Sequence, residues 1–194
     1  MLARTSADAA SRPRHLLFRS GTVACFASSY AWLSSIPFLL LGLIVAILER
    51  PSPDASPRLL VALQYGVLLL LSNLVHTLGH LAAARLLGIR TNTVLITATV
   101  HVNSHVCVYG LCSRWRHIGR ALGGPAANLA LGLAALLFSV YLPVASLRFL
   151  AIANLFVSGS VVLPIPRLDG WVIWGELLGF RRRLPPAPST PAAT

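Results

Sequence analysis

Asn73-Leu74-Val75-His76-Thr77-Leu78-Gly79-His80 sets two histidines four residues apart inside a long apolar run. On a helix, residues i and i+4 share a face, so the two imidazoles are placed to offer one nitrogen each to a single metal ion. The run extends from about Leu59 to Leu87, more than the roughly 20 residues that cross a bilayer. Ionisable groups at that depth are expensive and mark a functional site by default. The competing reading is that His76 and His80 only hydrogen-bond neighbouring helices, as polar residues inside membrane bundles do.

Working outward, the composition fixes the solvent. Of 194 residues, 56% are hydrophobic and 11% charged, which excludes an ordinary soluble domain. The pattern predicts an all-α polytopic membrane protein with four transmembrane helices, over about 23–48, 59–87, 118–142 and 147–166, the last continuing into a helix over 169–180. A basic tail over 1–19, a proline-rich loop over 49–58 and a basic, then disordered, tail over 181–194 complete the 20–180 membrane domain. The net charge of +11 sets 16 arginines against five acids. Those arginines lie between apolar segments rather than in a basic stripe with aromatics, so they predict orientation in a lipid bilayer and no nucleic-acid partner. Arg90, Arg114, Arg116, Arg120 and both basic tails fall on one side, against Arg50, Arg58 and Arg148 on the other, which predicts cytoplasmic N- and C-termini. Three cysteines supply no disulfide framework.

A third ligand is expected at matching depth. His76 lies about 26 Å along its span at 1.5 Å per residue, toward the cytoplasmic face, and Asp169 comes at a similar depth in the fourth span. Pro164, Pro166 and Gly170 interrupt the helix around Asp169, and irregular backbone at membrane depth is tolerated where it lines a cavity. Two imidazoles, a carboxylate and a water make a catalytic-type zinc shell. The alternatives are that Asp169 pairs with Arg167 or caps the segment Trp171 to Phe180, and that Gly123, Gly124 and Ala127 serve close helix packing alone.

The frame His-x-x-x-His is that of the zinc-protease pattern His-Glu-x-x-His, with Thr77 in the place of the glutamate base. Together with Gly123-Gly124-Pro125-Ala126-Ala127-Asn128 in the third span and Leu163-Pro164-Ile165-Pro166-Arg167-Leu168-Asp169-Gly170 in the fourth, it resembles the site-2 protease family of intramembrane zinc metallopeptidases. The resemblance covers about residues 60–180. It implies His76, His80 and Asp169 as zinc ligands, Asn128 as a polar group near the substrate carbonyl, and Gly123, Gly124 and Pro125 beside the substrate. The chain departs from the family at Thr77, at Val161 where an asparagine is usual, and at Arg167 and Trp171. Zinc-held water ionises near pH ~7 in favourable sites, yet loss of a general base costs roughly 10²–10⁴-fold, and a threonine hydroxyl is no base. Glu176 stands two helical turns, about 10 Å, beyond Asp169 and is poorly placed to substitute.

Between the second and third spans, Val100, Val102, Val106 and Val108 alternate with polar residues around Asn103-Ser104, which predicts a small β-hairpin insertion. The resemblance implies that its edge holds an unwound substrate by strand addition. His101, His105, Cys107 and Cys112 fit no zinc-finger spacing and are read as polar-face and turn residues of that hairpin. The expected function is a catalytically impaired or inactive zinc metallopeptidase homologue that binds transmembrane protein segments or regulates an active membrane protease. An active metalloendopeptidase with an unusual proton path, and a small transporter or channel using buried His and Asp, are the alternatives.

Overall fold

Short apolar runs near the N-terminus and long ones after them give two kinds of element. The computed structural model describes residues 14–20, 23–29, 31–49, 55–89, 91–96, 101–105, 113–142, 144–166 and 168–179. Strands β1 (Arg14–Ser20) and β2 (Val23–Ser28) lead through a 3-10 turn at Ala31–Ser35 into helix α1 (Ile36–Glu49). Helix α2 (Ala55–Leu86) carries both histidines, and strands β3 (Thr91–Ile96) and β4 (His101–His105) separate it from α3 (Arg114–Tyr141). Helix α4 (Ala145–Gly159) ends in a 3-10 turn, Ser160–Val162, and an extended stretch before the short α5 (Asp169–Leu177).

Four segments among the described residues are long and apolar enough to cross a membrane: Ala31–Leu48, Arg58–Leu86, Arg114–Tyr141 and Ala145–Val162. Their packing is inverted relative to a water-soluble bundle. Ala46, Ala62, Ala84, Ala121, Ala135 and Ala151 are buried, whereas Leu60, Val140 and Phe156 face outward, Phe156 at 78% exposure. In lipid, large apolar side chains gain nothing by moving inward, and small residues let helix backbones approach. The four apolar helices and this distribution describe an integral, multi-pass membrane protein.

Helices α1, α2, α3 and α4 pack in sequence order, and α5 packs on α3. Glycines set the closest approaches. A β-carbon on Gly42 of α1 would stand 2.5 Å from the Ala62 carbonyl oxygen, and one on Gly123 of α3 would stand 2.5 Å from both the Ala83 β-carbon and the Gly79 carbonyl oxygen. Gly79 of α2 in turn abuts the Gly123 carbonyl and the Ala127 β-carbon. Between α2 and α4, Tyr65 stacks on Phe149 at 4.4 Å.

The hairpin expected between the second and third spans is present as the antiparallel pair β3–β4, but its register differs from the expectation. Asn103 and Ser104 lie within β4, opposite Val94 and Thr93, so the chain reverses between Ile96 and His101. An Asn-Ser pair suits a strand interior when the neighbouring strand fixes the register, which local turn chemistry alone does not reveal. Val106, Val108, Cys107 and Cys112 fall outside the described residues, as do Arg167, residues 1–13 and 181–194.

A second difference lies at the N-terminus. Residues 14–28, expected as the end of a tail and the start of the first span, form β1 and β2, and the span begins later, at Ala31. Val23-Ala24-Cys25-Phe26 is a short apolar run, and such runs read equally as strand or helix until a pairing partner is known. That partner is β3, to which β2 pairs in parallel, giving a four-stranded sheet of order β1-β2-β3-β4. Parallel neighbours need a long crossover, and α1 with α2 supplies it.

Candidate metal centre

One turn of α2 and the first residue of α5 bring three ligating side chains together. His76 Nε2 lies 3.0 Å from Asp169 Oδ2, His80 Nε2 lies 3.3 Å from Asp169 Oδ1, and the two Nε2 atoms are 3.1 Å apart. The rings meet edge to face, with centroids 4.7 Å apart. Among the described residues, these three form the group able to hold a metal ion, their ligand atoms all within 4.8 Å of one another. Zinc bonds of about 2.0–2.1 Å in a tetrahedron place neighbouring ligand atoms roughly 3.3 Å apart, close to the spacing found. The donor set of two imidazoles and one carboxylate is also that of catalytic zinc shells. The residues therefore fit zinc.

Local structure explains how each ligand is held. The 3.6-residue period of α2 stacks His76 over His80 on the face toward α3. His80 Nδ1 lies 2.8 Å from the Arg120 carbonyl oxygen and 3.2 Å from the Gly124 backbone nitrogen. The two contacts ask for opposite tautomers, since the Gly124 N–H donates to Nδ1 whereas the Arg120 carbonyl only accepts. With Nε2 given to a metal ion, Nδ1 carries the proton and the closer contact, to Arg120, is the one made. Asp169 reaches the same point because the chain turns sharply before α5. A β-carbon on Gly170 would collide with the Leu163 carbonyl and stand 2.6 Å from that of Val161. Trp174 Nε1 donates to the Val162 carbonyl at 2.9 Å and pins α5 against the same turn.

Gly124 shapes the remaining side. A β-carbon there would lie 2.6 Å from both His76 Nε2 and His80 Nε2. The backbone of α3 thus closes directly over the two imidazole nitrogens, and any larger residue would enter the space that a metal ion would take. Asp169 and His76 are partly exposed, at 23% and 20%, whereas His80 is at 9%. Pro125, also inside α3 and buried, cannot donate a backbone bond to the Ala121 carbonyl.

The expected residues separate into those that the fold brings together and those placed differently. His76, His80 and Asp169 converge, so the carboxylate is directed at the imidazoles rather than used as a helix cap. Gly123 and Gly124 line the α2–α3 contact. Thr77 is buried, and its Oγ1 donates to the Asn73 carbonyl at 3.0 Å. Asn128 is 1% exposed, inside the bundle. Glu176 is buried on α5 near Ile173, which packs with Ile118 and Ala121. His101 and His105 lie in β4, between α2 and α3 in the chain, and are not part of the grouped ligands.

Some polar partners were not anticipated. Asn154 of α4 is fully buried and donates through Nδ2 to Ser72 Oγ at 2.9 Å and to the Leu150 carbonyl at 2.8 Å, while Ser72 donates to the Leu68 carbonyl at 2.8 Å. Ser72 lies one turn from His76 on α2, so this bond ties α4 to the helix that carries the ligands. An amide alone in an apolar span is itself the signal that a buried partner exists. Outside the helices, burial pushes the Cys25 thiol of β2 up, keeping it protonated.

No family model matches the sequence, and no curated protein matches it. Among solved structures, the chain is similar to the site-2 protease from Methanocaldococcus jannaschii, at 20% sequence identity and a TM-score of 0.59, over 87% of this chain and 73% of that one. With the ligand trio set between its second span and the segment after its fourth, the chain has the site-2 protease fold.

Proposed function

We propose that this protein is a site-2-protease-like zinc protein of the membrane that binds transmembrane protein segments with little or no cleavage, either as a partner of those segments or as a regulator of an active membrane protease. The observation that carries this reading is Thr77. It stands directly beside ligand His76, where a peptidase of this type needs a carboxylate, and its hydroxyl donates to its own helix.

When bound, zinc supplies Lewis acidity toward a carbonyl. The chain's own residues hold and orient: His76, His80 and Asp169 ligate, the Arg120 carbonyl fixes the His80 tautomer, and Gly124 leaves the space. None of the described acids replaces the base. Glu49 ends α1, Asp169 is a ligand, and Glu176 is buried two turns along α5. Proton transfer to a leaving amine therefore has no carboxylate to use among the described residues, a deficit of roughly 10²–10⁴-fold.

Binding needs only backbone groups. The sheet has β4 at one edge and β1 at the other, and an unwound segment can add to an edge by main-chain hydrogen bonds. The arginine distribution supports cytoplasmic termini and a metal centre toward the cytoplasmic side, since the ligands lie nearer the end where α2 finishes and α3 begins. The test is reconstitution with single-span peptides: crosslinking to the β4 edge without cleavage supports the reading, and cleavage by the wild type that is lost in Asp169→Ala refutes it.

A further inference from the structure

Three buried polar atoms in this part of the bundle lack hydrogen-bond partners: His76 Nδ1, Asn128 Oδ1 and Asn154 Oδ1. Asn154 is already tied through its amide nitrogen to Ser72, which leaves His76 and Asn128 as the pair to be matched. They are complementary. If His76 gives Nε2 to a metal ion, its proton sits on Nδ1, a donor, and an amide oxygen is an acceptor. Leaving either buried and unpaired costs about 1–3 kcal/mol.

Helix register places them together. Helices α2 and α3 run antiparallel, with Ala83 and Gly79 against Gly123, and with Gly79 also against Ala127. Gly124 touches both His80 and His76. One turn further along α3 is Asn128, and one turn further on α2 in that direction leads from His76 to Ser72. Asn128 therefore lies on the side of His76 away from His80. There it is almost fully enclosed.

We propose that Asn128 is a positioning residue for the metal ligand His76: its Oδ1 accepts the Nδ1 proton, directly or through one buried water, when Nε2 ligates. This assigns His76 the same kind of outer partner that the Arg120 carbonyl gives His80, and differs from the substrate contact implied by the resemblance. The inference rests on the zinc reading above. Outer partners of ligating histidines are worth roughly 10–100-fold in metal affinity.

The test uses the purified full-length protein in detergent, with zinc affinity read by chelator competition and ring protonation by NMR of 15N-histidine-labelled protein. Zinc-loaded wild type should show His76 protonated and hydrogen-bonded at Nδ1. Asn128→Leu should weaken zinc binding roughly 10–100-fold and shift the His76 Nδ1 signal while leaving that of His80 in place. Asn128→Asp, which keeps an acceptor oxygen, should restore both. Unchanged affinity and an unchanged His76 signal in a folded Asn128→Leu variant would overturn the inference alone. If that variant does not fold, an Nδ1 proton without a hydrogen-bond shift in wild type does the same. A wild type that binds no zinc overturns the zinc reading and this inference together.

Discussion

Gly124 faces His76 so closely that a β-carbon on the glycine would stand 2.6 Å from the imidazole Nε2. Helix packing and ligand geometry are thus one requirement at this position. Gly124→Ala should push the imidazoles apart or take the volume of the ion, and overpacking of this size costs about 1–3 kcal/mol. The expected result is a drop in zinc affinity of roughly 10–100-fold, measured by equilibrium dialysis, with helical content by circular dichroism close to wild type. Wild-type zinc affinity in this variant would show that the nitrogens move freely and that the cradle is not specific.

Thr77 carries the enzyme question. Thr77→Glu restores a carboxylate one residue from His76, and turnover of a transmembrane peptide should rise by roughly 10²–10⁴-fold. The gain should vanish when Asp169→Ala is added. Absence of any gain in a zinc-loaded Thr77→Glu protein would mean that more than the base has been lost, with the position of Val161 the next to examine.

Ligand removal gives a stability readout free of assumptions about substrate. Zinc at about 100 times its Kd should raise stability by ~2.7 kcal/mol, visible as a lower thermal midpoint on chelation. His76→Ala, His80→Ala and Asp169→Ala should each abolish the chelator-dependent shift. Asp169→Ala should also free α5, read as faster hydrogen exchange over 169–177. A chelator-dependent shift that survives all three substitutions would place the ion elsewhere.

The Ser72–Asn154 bond predicts a modest coupling. Interhelical hydrogen bonds in membranes average about 0.6 kcal/mol and reach about 1.7. A Ser72→Ala, Asn154→Leu double-mutant cycle, followed by steric trapping or denaturant unfolding in micelles, should return an energy in that range. Additive effects would indicate that each side chain finds another partner once the first is removed.

Much of the fold and of the candidate site was legible because membrane helices advertise themselves by length and apolar content. The spacing of His76 and His80 on one helix needed only the helical period. The depth reckoned for Asp169 treated the fourth span as one helix, whereas the chain leaves α4 at Gly159 and passes through a 3-10 turn before α5. The sheet was only half legible. Residues 14–28 pair with a strand beyond two spans, and long-range pairing leaves no periodic mark in the partner sequences. Asn103-Ser104 carried turn chemistry, yet the β3 register placed the pair within a strand. Arg120 was visible as a charge, whereas its role at the site comes from its backbone carbonyl, which every residue has and which no side-chain pattern can flag. Asn128 and Asn154 were exposed to inspection as amides in apolar runs, but what each faces depends on helix register.

The parallel pairing of β2 with β3 imposes an order of assembly. The first two strands leave the ribosome before α1 and α2, but the partner they need follows both helices. The sheet therefore cannot close until both helices have been synthesised, and the N-terminal strands must wait with one edge open for more than 60 residues of synthesis. Such a high separation between contacting residues slows pairing and exposes an unpaired edge in the interval. Synthesis of both helices then precedes closure of the sheet, so a chain stopped before β3 should fail to hold the N-terminal strands in place.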